Sequence, residues 1–396
     1  MKTLLFTLEY PPFHGGVANY YGNLVKYWPS FAKASTDAKA LADKSEGKPK
    51  PDEISVLDNK DGRLINNKLP LLKWLPAYFA LRREIKQEKI EHILVGQILP
   101  LGAAALICAK FFKIKYSVFL HGMDLTYALK KPRKKWLAKK ILSNTHKIIC
   151  LNGYTANLTK QFFPLSADKI AVVNPAIEPA RPAAPEKISA LKKQYNLTDK
   201  IILLSVGRLV KRKGFDKVIE ALPEALRQAP NLIYIILGGG AELKNLKFQI
   251  SNLGLEKQVI IINQATDKER DNWYNASDIF IMPSRNINGD FEGFGLVYLE
   301  ANLAGKPVIA GKSGGVGDAV IAGLNGLLVD PEDTEQIASA IIKLARDPGL
   351  RKKLGEQGRE RAIKEFNWEK QIKKIYKAIT FSHCHCEKRS DEAISG

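Results

Sequence analysis

Short runs of apolar residues alternate along this chain with longer stretches in which apolar residues return every three or four positions. The longer stretches predict amphipathic helices, for example Val17–Tyr27, Leu101–Phe112 and Asn152–Phe162. The short runs predict buried strands, six in each half of the chain: Thr3–Leu8, Ile54–Leu57, Ile93–Val95, Tyr116–Leu120, Lys147–Leu151, Ile170–Val173, Ile201–Val206, Leu232–Leu237, Val259–Ile262, Ile279–Met282, Pro307–Ile309 and Gly326–Val329. This alternation is typical of parallel βαβ units with right-handed crossovers.

A proline-rich segment separates the two halves. Residues 175–185 contain four prolines, which continue neither helix nor strand and form a stiff connector. A chain of 396 residues also exceeds the usual size of one domain. We therefore predict an α/β fold with two doubly wound domains, residues 1–178 and 179–366, which face a cleft at the carboxyl ends of their strands.

Two segments fit neither pattern, and we expect them to be flexible and without a chemical role. Residues 29–53 and the tail 380–396 have too few large apolar residues to form a core. The tail contains His383-Cys-His-Cys386, which resembles half of a metal site, but no second Cys/His pair lies at a suitable spacing. We therefore predict no metal. Cys108 and Cys150 lie in apolar patterns and are predicted to be reduced core residues.

The formal net charge is +20, and residues 1–180 hold 28 Lys and Arg against 14 Asp and Glu. The densest cluster runs from Lys130 to Leu142 and predicts a helix with a basic face beside Trp136. Such a helix either lies on an anionic membrane surface or is an ordinary solvated face. Nucleic-acid binding is not expected, because no recognised binding module accompanies the charge.

No apolar run reaches the roughly 18–20 residues that span a bilayer. The N-terminus lacks the features of a signal peptide. We expect a cytoplasmic protein that contacts the membrane, if at all, at its inner face.

Glu292 and Glu300 are the most informative polar residues. The first lies in a glycine-broken turn, and the second is predicted about two turns into the helix that begins there. Both can face one cleft, where carboxylates suit a ligand with hydroxyls at two separate points. Residues 304–315 then predict a helix end, a short strand and a second glycine loop, and a helix N-terminus after such a loop binds anions. Hydroxyl acceptors beside a phosphate site indicate a sugar nucleotide.

Four other loops follow predicted strands. After Val206, the chain turns at Gly207 and enters a helix near Gly214, so that Arg208 and Lys213 can converge on one anion. Lys211 and Arg212 in the same loop are interpreted as surface charge. The pair Gly15-Gly16 precedes the first helix, and His121 follows the strand that ends at Leu120. Asp124 is predicted to hold the loop after His121, and Gly238-Gly-Gly240 to form a tight βα turn.

The pair Glu292 and Glu300, with Gly207-Arg208 and Lys213-Gly214, resembles the motifs of retaining glycosyltransferases of the GT-B class, family 4. The resemblance covers residues 1–379, and residues 292–301 and 313–320 are most similar to phosphatidylinositol mannosyltransferases. It implies a GT-B fold whose last helix, 367–379, crosses back to the first domain. It also implies transfer of a hexose, with mannose as the choice, from a GDP- or UDP-linked sugar to a lipid or glycan hydroxyl.

The resemblance also implies roles for individual residues. Arg208 and Lys213 would stabilise the diphosphate, His121 would contact the donor sugar, Glu292 would accept its hydroxyls and Glu300 those of the ribose. The remaining donor-binding positions are glycines and a phenylalanine that offer backbone: Gly15, Gly16, Gly207, Gly293, Phe294 and Gly295. No Asp-x-Asp pair occurs in the chain, which argues against the fold class that holds the diphosphate through a divalent metal. No cofactor is therefore expected.

Two other functions stay open on the sequence alone. One is a sugar-nucleotide epimerase of related architecture, and the other is a non-catalytic protein that binds surfaces through its basic charge. The nucleobase is undetermined. Asn263-Gln264 and Ser284-Arg285 follow strands of the second half and are predicted to border it.

Overall fold

The computed structural model describes residues 1–13, 15–28, 53–69, 72–179 and 183–380. The two segments predicted to be flexible lie outside these ranges, except for Glu53 and Thr380. Their flexibility therefore stays a prediction.

The first domain is built on a six-stranded parallel sheet with the strand order β2-β1-β3-β4-β5-β6. Its strands are almost continuous runs of apolar residues, because helices cover both faces of the sheet. In chain order its elements are β1 (Thr3–Thr7), α1 (16–28), β2 (Ile54–Asp58), α2 (Leu75–Glu88), β3 (His92–Val95), α3 (Leu101–Phe112), β4 (Lys115–Leu120), α4 (Met123–Leu129), α5 (Pro132–Asn144), β5 (Lys147–Cys150), α6 (Gly153–Phe162) and β6 (Ile170–Val172).

The second domain repeats this plan with a parallel sheet of order β12-β11-β10-β7-β8-β9. Its elements, with the last helix of the described chain, are α7 (Pro185–Gln194), β7 (Ile201–Val206), α8 (Phe215–Gln228), β8 (Leu232–Leu237), α9 (Leu243–Asn252), β9 (Val259–Ile262), α10 (Asp267–Ala276), β10 (Ile279–Met282), α11 (Leu296–Leu303), β11 (Val308–Gly311), α12 (Val316–Ala319), β12 (Gly326–Val329), α13 (Thr334–Arg346), α14 (Pro348–Glu365) and α15 (Trp368–Thr380).

The predicted fold class is confirmed. Every predicted strand is present, and no strand end differs from its prediction by more than two residues. Cys108 and Cys150 are buried and form no disulfide, as predicted. In the part of the chain that the structure describes, no helix combines the length and the apolar character that a bilayer crossing requires.

The helix α15 packs against the first domain although it follows the second in sequence. Its buried residues Trp368, Ile372 and Ile375 join an apolar cluster with Leu5 and Phe119 of the first sheet. This cluster covers the sheet face opposite to α2–α6. The chain returns beside the outgoing connector, where the Ile177 N–H donates to Phe366 O at 2.9 Å. The two domains are therefore joined by two neighbouring chain segments.

Contacts across the cleft bring the carboxyl ends of the two sheets together. Asp318 at α12 accepts hydrogen bonds from the Gly153 N–H (2.7 Å) and the Asn174 side chain (3.0 Å). The rings of Tyr154 and Phe291 meet at 4.8 Å between centroids. A Cβ on Gly122, in the loop after β4, would lie 3.0 Å from the Phe291 ring, so the loops after β4 and β10 also face each other. Five of the eleven predicted site residues lie on these two loops: His121, Glu292, Gly293, Phe294 and Gly295.

Candidate active site

Glu292 is a buried carboxylate held by two cations. Its Oε2 accepts from Arg212 Nη1 at 2.9 Å and from Lys213 Nζ at 2.5 Å. Burial acts to raise the pKa of Glu292, but the charges and hydrogen bonds of Lys213 and Arg212 outweigh it, so this pKa lies below its ordinary value. Glu292 is therefore ionised at neutral pH. Its Oε1 accepts no hydrogen bond from any described residue.

The interpretation of Arg212 as surface charge is wrong. The loop after β7 contains a short 3₁₀ turn, Lys211–Lys213, which ends at Gly214 with φ +77°. This turn directs Arg212 and Lys213 inward and leaves Lys211 exposed. The Arg212 guanidinium also places Nε 3.0 Å from Asp290 Oδ1, and its side chain is 11% exposed. Arg212 thus links Asp290 and Glu292, the two carboxylates of the turn that follows β10.

Arg208 and Lys213 flank Gly207 but occupy different surroundings. A Cβ on Gly207 would lie 3.8 Å from Lys213 Cε, so the Lys213 side chain lies directly beside this turn. Its ammonium is bound to Glu292. Arg208 is exposed and makes no hydrogen bond to any described residue. Convergence of both side chains on one anion stays a prediction, because Lys213 already has an anionic partner.

The Arg208 side chain borders a cavity of about 370 Å³ at the carboxyl ends of β7, β8 and β9. Its walls include Gly207, Gly238 and Gly239, with Asn263 and Gln264 on the far side. The glycine run after β8 is a βα turn, as predicted, but it is also a wall of this cavity. Sequence reasoning missed that role, although the position of the run after a strand adjacent to β7 could have indicated it.

The prediction that Ser284 and Arg285 border the nucleobase is not supported. Ser284 is fully buried, with its Oγ 3.3 Å from the Tyr298 hydroxyl. The Arg285 guanidinium pairs with Asp216 at 2.7 Å. Neither side chain is therefore free to contact a nucleobase. Of the four residues predicted to border the base, Asn263 and Gln264 line the cavity beside Gly207, and Ser284 and Arg285 do not.

His121 follows β4 and its imidazole is oriented by Tyr21 from α1. The Tyr21 hydroxyl donates to Gly96 O at 2.7 Å, and its oxygen lies 2.7 Å from His121 Nε2. Because a hydroxyl has one proton, this network assigns the imidazole proton to Nε2 and leaves Nδ1 as an acceptor. Burial lowers the pKa of His121 to about 4, so the ring is neutral at pH 7.

Asp124 holds the loop that carries His121, as predicted. Its Oδ1 accepts from the backbone N–H groups of His121, Gly122 and Leu125, each at 3.0 Å. Burial raises the pKa of Asp124 to about 6, although these N–H groups favour its ionised form. These hydrogen bonds fix the loop that carries His121. This loop lies against the loop of Glu292, because a Cβ built on Gly293 would lie 3.0 Å from the His121 carbonyl oxygen.

Glu300 lies nearer to the start of its helix than predicted. The helix α11 begins at Leu296, after Gly295 with φ +85°, so Glu300 is little more than one turn into it. The Tyr274 hydroxyl donates to Glu300 Oε2 at 2.7 Å. Glu300 lines a cavity of about 760 Å³ between the domains, which Gly16 of α1 also borders. Glu292 does not line this cavity, so the structure places Glu300 alone of the two glutamates on its wall.

Arg270 is a further residue that sequence reasoning missed. It lies on α10, where it borders both cavities, and its Nη1 is bound to Asp267 Oδ1 at 2.8 Å. Its Nε is buried and has no hydrogen-bond partner among the described residues. No motif marks Arg270, because its position depends on how α10 packs beside Glu300.

The remaining predicted positions, Gly15, Gly293 and Phe294, are expected to offer backbone groups to the donor. Gly15 lies directly before α1. The turn that carries Gly293 is closed by a hydrogen bond in which the Gly315 N–H donates to the Glu292 carbonyl at 3.0 Å. The Phe294 ring packs on Phe366, 5.7 Å between centroids, so only its backbone can reach the cleft.

Within the described ranges, no group of three or more His, Cys, Asp or Glu side chains is arranged to hold a metal ion.

The chain is similar to known proteins along most of its length. The family model "Glycosyltransferase Family 4" matches residues 14–181, and the model "Glycosyl transferases group 1" matches residues 187–361. A GDP-mannose-dependent alpha-(1-6)-phosphatidylinositol monomannoside mannosyltransferase of Mycolicibacterium smegmatis is 28% identical over 92% of this chain and 94% of that protein. A GDP-mannose-dependent monoacylated alpha-(1-6)-phosphatidylinositol monomannoside mannosyltransferase of Corynebacterium glutamicum is 27% identical over 93% of this chain and 95% of that protein.

Solved structures support the same fold. The Anabaena Alr3699/HepE protein in complex with UDP has a TM-score of 0.76 at 21% identity and covers 96% of this chain and 99% of its own. A glycosyltransferase of Rickettsia africae also has a TM-score of 0.76, at 20% identity, over 96% of this chain and 98% of its own. The two family models together account for both domains. The chain therefore belongs to the group 1, family 4 glycosyltransferases, and it is a transferase with the two-domain GT-B fold.

Proposed function

We propose that this enzyme transfers mannose from GDP-mannose to a hydroxyl of a lipid or glycan acceptor, with retention of the anomeric configuration and without a metal cofactor. The choice of donor is supported by the GDP-mannose-dependent relatives, which are similar to this chain over nearly its whole length. The enzyme would work in the cytoplasm, at the inner face of the membrane when its acceptor is a lipid.

One observation carries the proposal: the loops that hold His121 and Glu292 belong to different domains and meet at Gly293. The His121 carbonyl lies against Gly293, and Glu292 keeps Oε1 without a partner from the described residues. A donor sugar between them could donate hydroxyl protons to His121 Nδ1 and to Glu292 Oε1. Glu300, on the wall of the inter-domain cavity, would accept hydrogen bonds from a ribose.

The departing nucleoside diphosphate needs positive charge near Gly207. Arg208 borders the cavity there, and its planar guanidinium can bind two phosphate oxygens at once. Charge-assisted hydrogen bonds of this kind strengthen as the sugar–phosphate bond breaks and negative charge gathers on the phosphate. Such side chains would do the work that a divalent metal does in other transferases.

The retaining step that we propose is a displacement on one face of the sugar. A double displacement also retains the configuration, but it would require a carboxylate to attack the anomeric carbon, and the two cations on Glu292 Oε2 lower the basicity of that carboxylate. In the proposed step the acceptor oxygen bonds to the anomeric carbon on the face that the diphosphate leaves. The acceptor proton passes to the departing phosphate oxygen, which takes the electron pair of the broken bond.

Thermal-shift titration with GDP, UDP, GDP-mannose and UDP-glucose tests the donor. A ligand at 100 times its Kd stabilises a protein by about 2.7 kcal/mol, which is easily measured. We expect the GDP compounds to raise the melting temperature more than the UDP compounds do. A preference for UDP, which the solved neighbour binds, would contradict the choice of donor and leave the transferase class intact.

Incubation with GDP-mannose then tests the reaction. With a phosphatidylinositol mannoside as acceptor, we expect a mannosylated product with the α configuration. A new sugar nucleotide formed without any acceptor would indicate an epimerase instead. A β-linked product would contradict retention.

A further inference from the structure

The N-terminus of α6 is a point at which polar groups of the two domains meet. Asn152 and Gly153 of the first domain contact Gly293 and Asp318 of the second. The Asn152 side chain is fully buried although it is polar. We call the group formed by Asn152, Gly153, Asn174 and Asp318 the α6 latch.

Asp318 closes the latch from the second domain. Its Oδ2 accepts from the Gly153 N–H at 2.7 Å and from Asn174 Nδ2 at 3.0 Å. The first N–H groups of a helix have no partner within the helix, and the partial positive charge at that end attracts a carboxylate. A Cβ on Gly153 would lie only 3.3 Å from Asp318 Oδ1, so the glycine lets the carboxylate approach closely. Asp318 therefore binds the first domain through both charge and hydrogen bonds.

The backbone around Asp318 is held in place from α14. Arg361 Nη2 donates to the Asp318 carbonyl at 2.8 Å, and Nη1 donates to the Ala319 carbonyl at 2.7 Å. The Arg361 guanidinium also lies 4.9 Å from the centre of the Phe366 ring. These contacts lie within the second domain and do not depend on the first. The carboxylate is therefore positioned in advance for its contact with α6.

Asn152 joins the latch to the loop of Glu292. Its Oδ1 accepts from the Thr155 N–H at 2.7 Å, which caps α6, and its Nδ2 donates to the Gly293 carbonyl. Gly315 makes room for this contact, because a Cβ on it would lie 2.6 Å from Asn152 Cγ. The side chain thus uses its acceptor within the first domain and its donor across the cleft.

The hydrogen bond to the Gly293 carbonyl also fixes the direction of the next N–H group. A trans peptide unit is planar, with its C=O and N–H in opposite directions, so the Gly293 carbonyl and the Phe294 N–H turn together. The preceding unit is held in the same way, because the Gly315 N–H donates to the Glu292 carbonyl. The Gly293 and Phe294 N–H groups point away from these partners, and neither donates to any described residue. Two adjacent free N–H groups suit an anion such as a phosphate oxygen.

We propose that the first domain completes the donor site of the second domain. Asn152 is a positioning residue: through the Gly293 carbonyl it aims the Phe294 N–H at the departing phosphate. Asp318 and Asn174 hold Asn152 in place when the cleft is closed. The inference rests on the proposed function for the identity of the donor.

The latch is expected to matter for turnover and not for binding of the nucleotide. The cavity beside Gly207 is lined by residues of the second domain alone, so a nucleotide can bind there without the latch. The positioned N–H group contributes most when the sugar–phosphate bond breaks and negative charge gathers on the phosphate. Loss of the latch should therefore lower kcat.

Asn152→Ser separates this role from the capping of α6. Serine caps a helix about as well as asparagine, but it has no amide to reach the Gly293 carbonyl. With GDP-mannose and a phosphatidylinositol mannoside, we expect kcat to fall about tenfold or more, since a small misplacement of a catalytic group is costly. The KM for donor and the thermal shift by GDP should change little. The matched control is Asn144→Ser on α5, which removes a 2.8 Å hydrogen bond to the Lys140 carbonyl within one helix and should leave kcat unchanged.

Asp318→Lys tests the latch without any substrate. A lysine repels the positive end of α6, so the domains should separate and the radius of gyration from small-angle X-ray scattering should increase. The control is Asp333→Lys, since Asp333 Oδ1 also accepts at a helix N-terminus, from the Gln336 N–H at 2.9 Å, but within the second domain. Its radius of gyration should equal that of the wild type. Both variants should keep the thermal shift by GDP, which shows that the second domain is folded.

Several results would overturn the inference. One is a kcat near the wild-type value in Asn152→Ser. Another is an equal loss of kcat in Asn152→Ser and Asn144→Ser, or a loss that follows a lower melting temperature, since either would reduce Asn152 to a structural role. The last is an unchanged radius of gyration in Asp318→Lys. Scattering needs neither donor nor acceptor, so failure of the donor titration together with an expanded Asp318→Lys variant would contradict the proposed function and leave the latch standing.

Discussion

The loop from Gly207 to Gly214 places one basic side chain in the open cavity and buries another against a carboxylate. Arg208→Ala removes an exposed guanidinium, so we expect turnover to fall about 10²-fold, as when one oxyanion donor is lost, with unchanged stability. Lys213→Ala should reduce turnover and also destabilise the fold by about 1–3 kcal/mol, because the buried Glu292 carboxylate loses one of its two cations. Steady-state kinetics and urea unfolding measure the two effects.

Lys211→Ala is the control for this pair, since Lys211 belongs to the same turn but is exposed. It should match the wild type in both measurements. Turnover near the wild-type rate in Arg208→Ala would remove Arg208 from the diphosphate site. Equal stability of Lys213→Ala and Lys211→Ala would mean that Arg212 alone suffices to hold Glu292.

Tyr21 is expected to act through His121. In Tyr21→Phe the imidazole loses the group that fixes its proton on Nε2, so we expect kcat to fall about tenfold while the KM for donor changes little. Tyr20→Phe is a close control: Tyr20 is the preceding residue, it is also buried, and its hydroxyl has no partner among the described residues. Equal kcat in the two variants would show that the orientation of the ring does not depend on Tyr21.

Activity is expected to survive treatment with EDTA. The proposed charge stabilisation comes from the Arg208 side chain, which a chelator does not remove. The test compares turnover before and after chelation, and again after addition of magnesium or manganese. Complete loss that either metal reverses would overturn the proposal of a metal-free site.

Residues that form a local motif could be recognised from the sequence, and residues that act through packing could not. Glu292, Arg208 and Lys213 stand in short glycine-containing runs, where spacing and residue type carry the information. Arg212 stands in the same run, but its partner Asp290 comes from a different loop, so the sequence offered no reason to expect burial. The contact between Tyr21 and His121 joins residues one hundred positions apart, and only the parallel order of β1, β3 and β4 brings them together.

Among the elements, α15 carries the strongest consequence for stability. Ile375 is fully buried between this helix and the first sheet, so Ile375→Ala should destabilise the protein by about 2–4 kcal/mol. Ile363→Ala on α14 removes the same atoms from a position that is 54% exposed and should change the stability by less than about 1 kcal/mol. Urea unfolding of both variants measures the difference. A similar small loss in both would mean that α15 is only loosely attached to the sheet.

The strands were predictable because burial on both sheet faces leaves an uninterrupted apolar run, as in Ile201–Val206 and Leu232–Leu237. Helix starts were less predictable where a glycine or a 3₁₀ turn precedes them. The start of α11 depends on Gly295 in the left-handed region, and an added Cβ there would overlap the Tyr298 ring. Spacing along the sequence cannot show where such a turn ends, and the predicted position of Glu300 is therefore about one turn too far into the helix.

At the scale of the whole molecule, stability should fall as the pH drops from about 6.5 toward 4. Burial lowers the pKa of His121 to about 4 and that of His92 to about 3, so both groups take up protons on unfolding in this range. Their contribution is present above pH 6.5 and lost as the pH falls. Asp124 opposes them, because its pKa is raised to about 6 and its contribution is lost as the pH rises. Two imidazoles outweigh one carboxyl, so the net loss on acidification should be on the order of a few kcal/mol.

Urea midpoints at about pH 7.5 and about pH 5 measure this dependence. His92→Gln removes one titrating group far from the cleft, so the difference between the two midpoints should shrink. A midpoint that is the same at both pH values in the wild type would contradict the burial of neutral imidazoles.

The position of α15 also determines the order in which the protein can be completed during synthesis. The first sheet leaves the ribosome early, and its apolar face around Leu5 and Phe119 is then covered by α1 but still lacks α15, which completes the cover in the finished molecule. The entire second domain must be translated before that helix appears. During this interval the nascent chain exposes a surface that attracts chaperones or other unfinished chains. A gene split at the proline-rich connector would therefore yield a first half that is poorly soluble alone, and fusing residues 367–380 directly behind residue 178 would be the way to repair it.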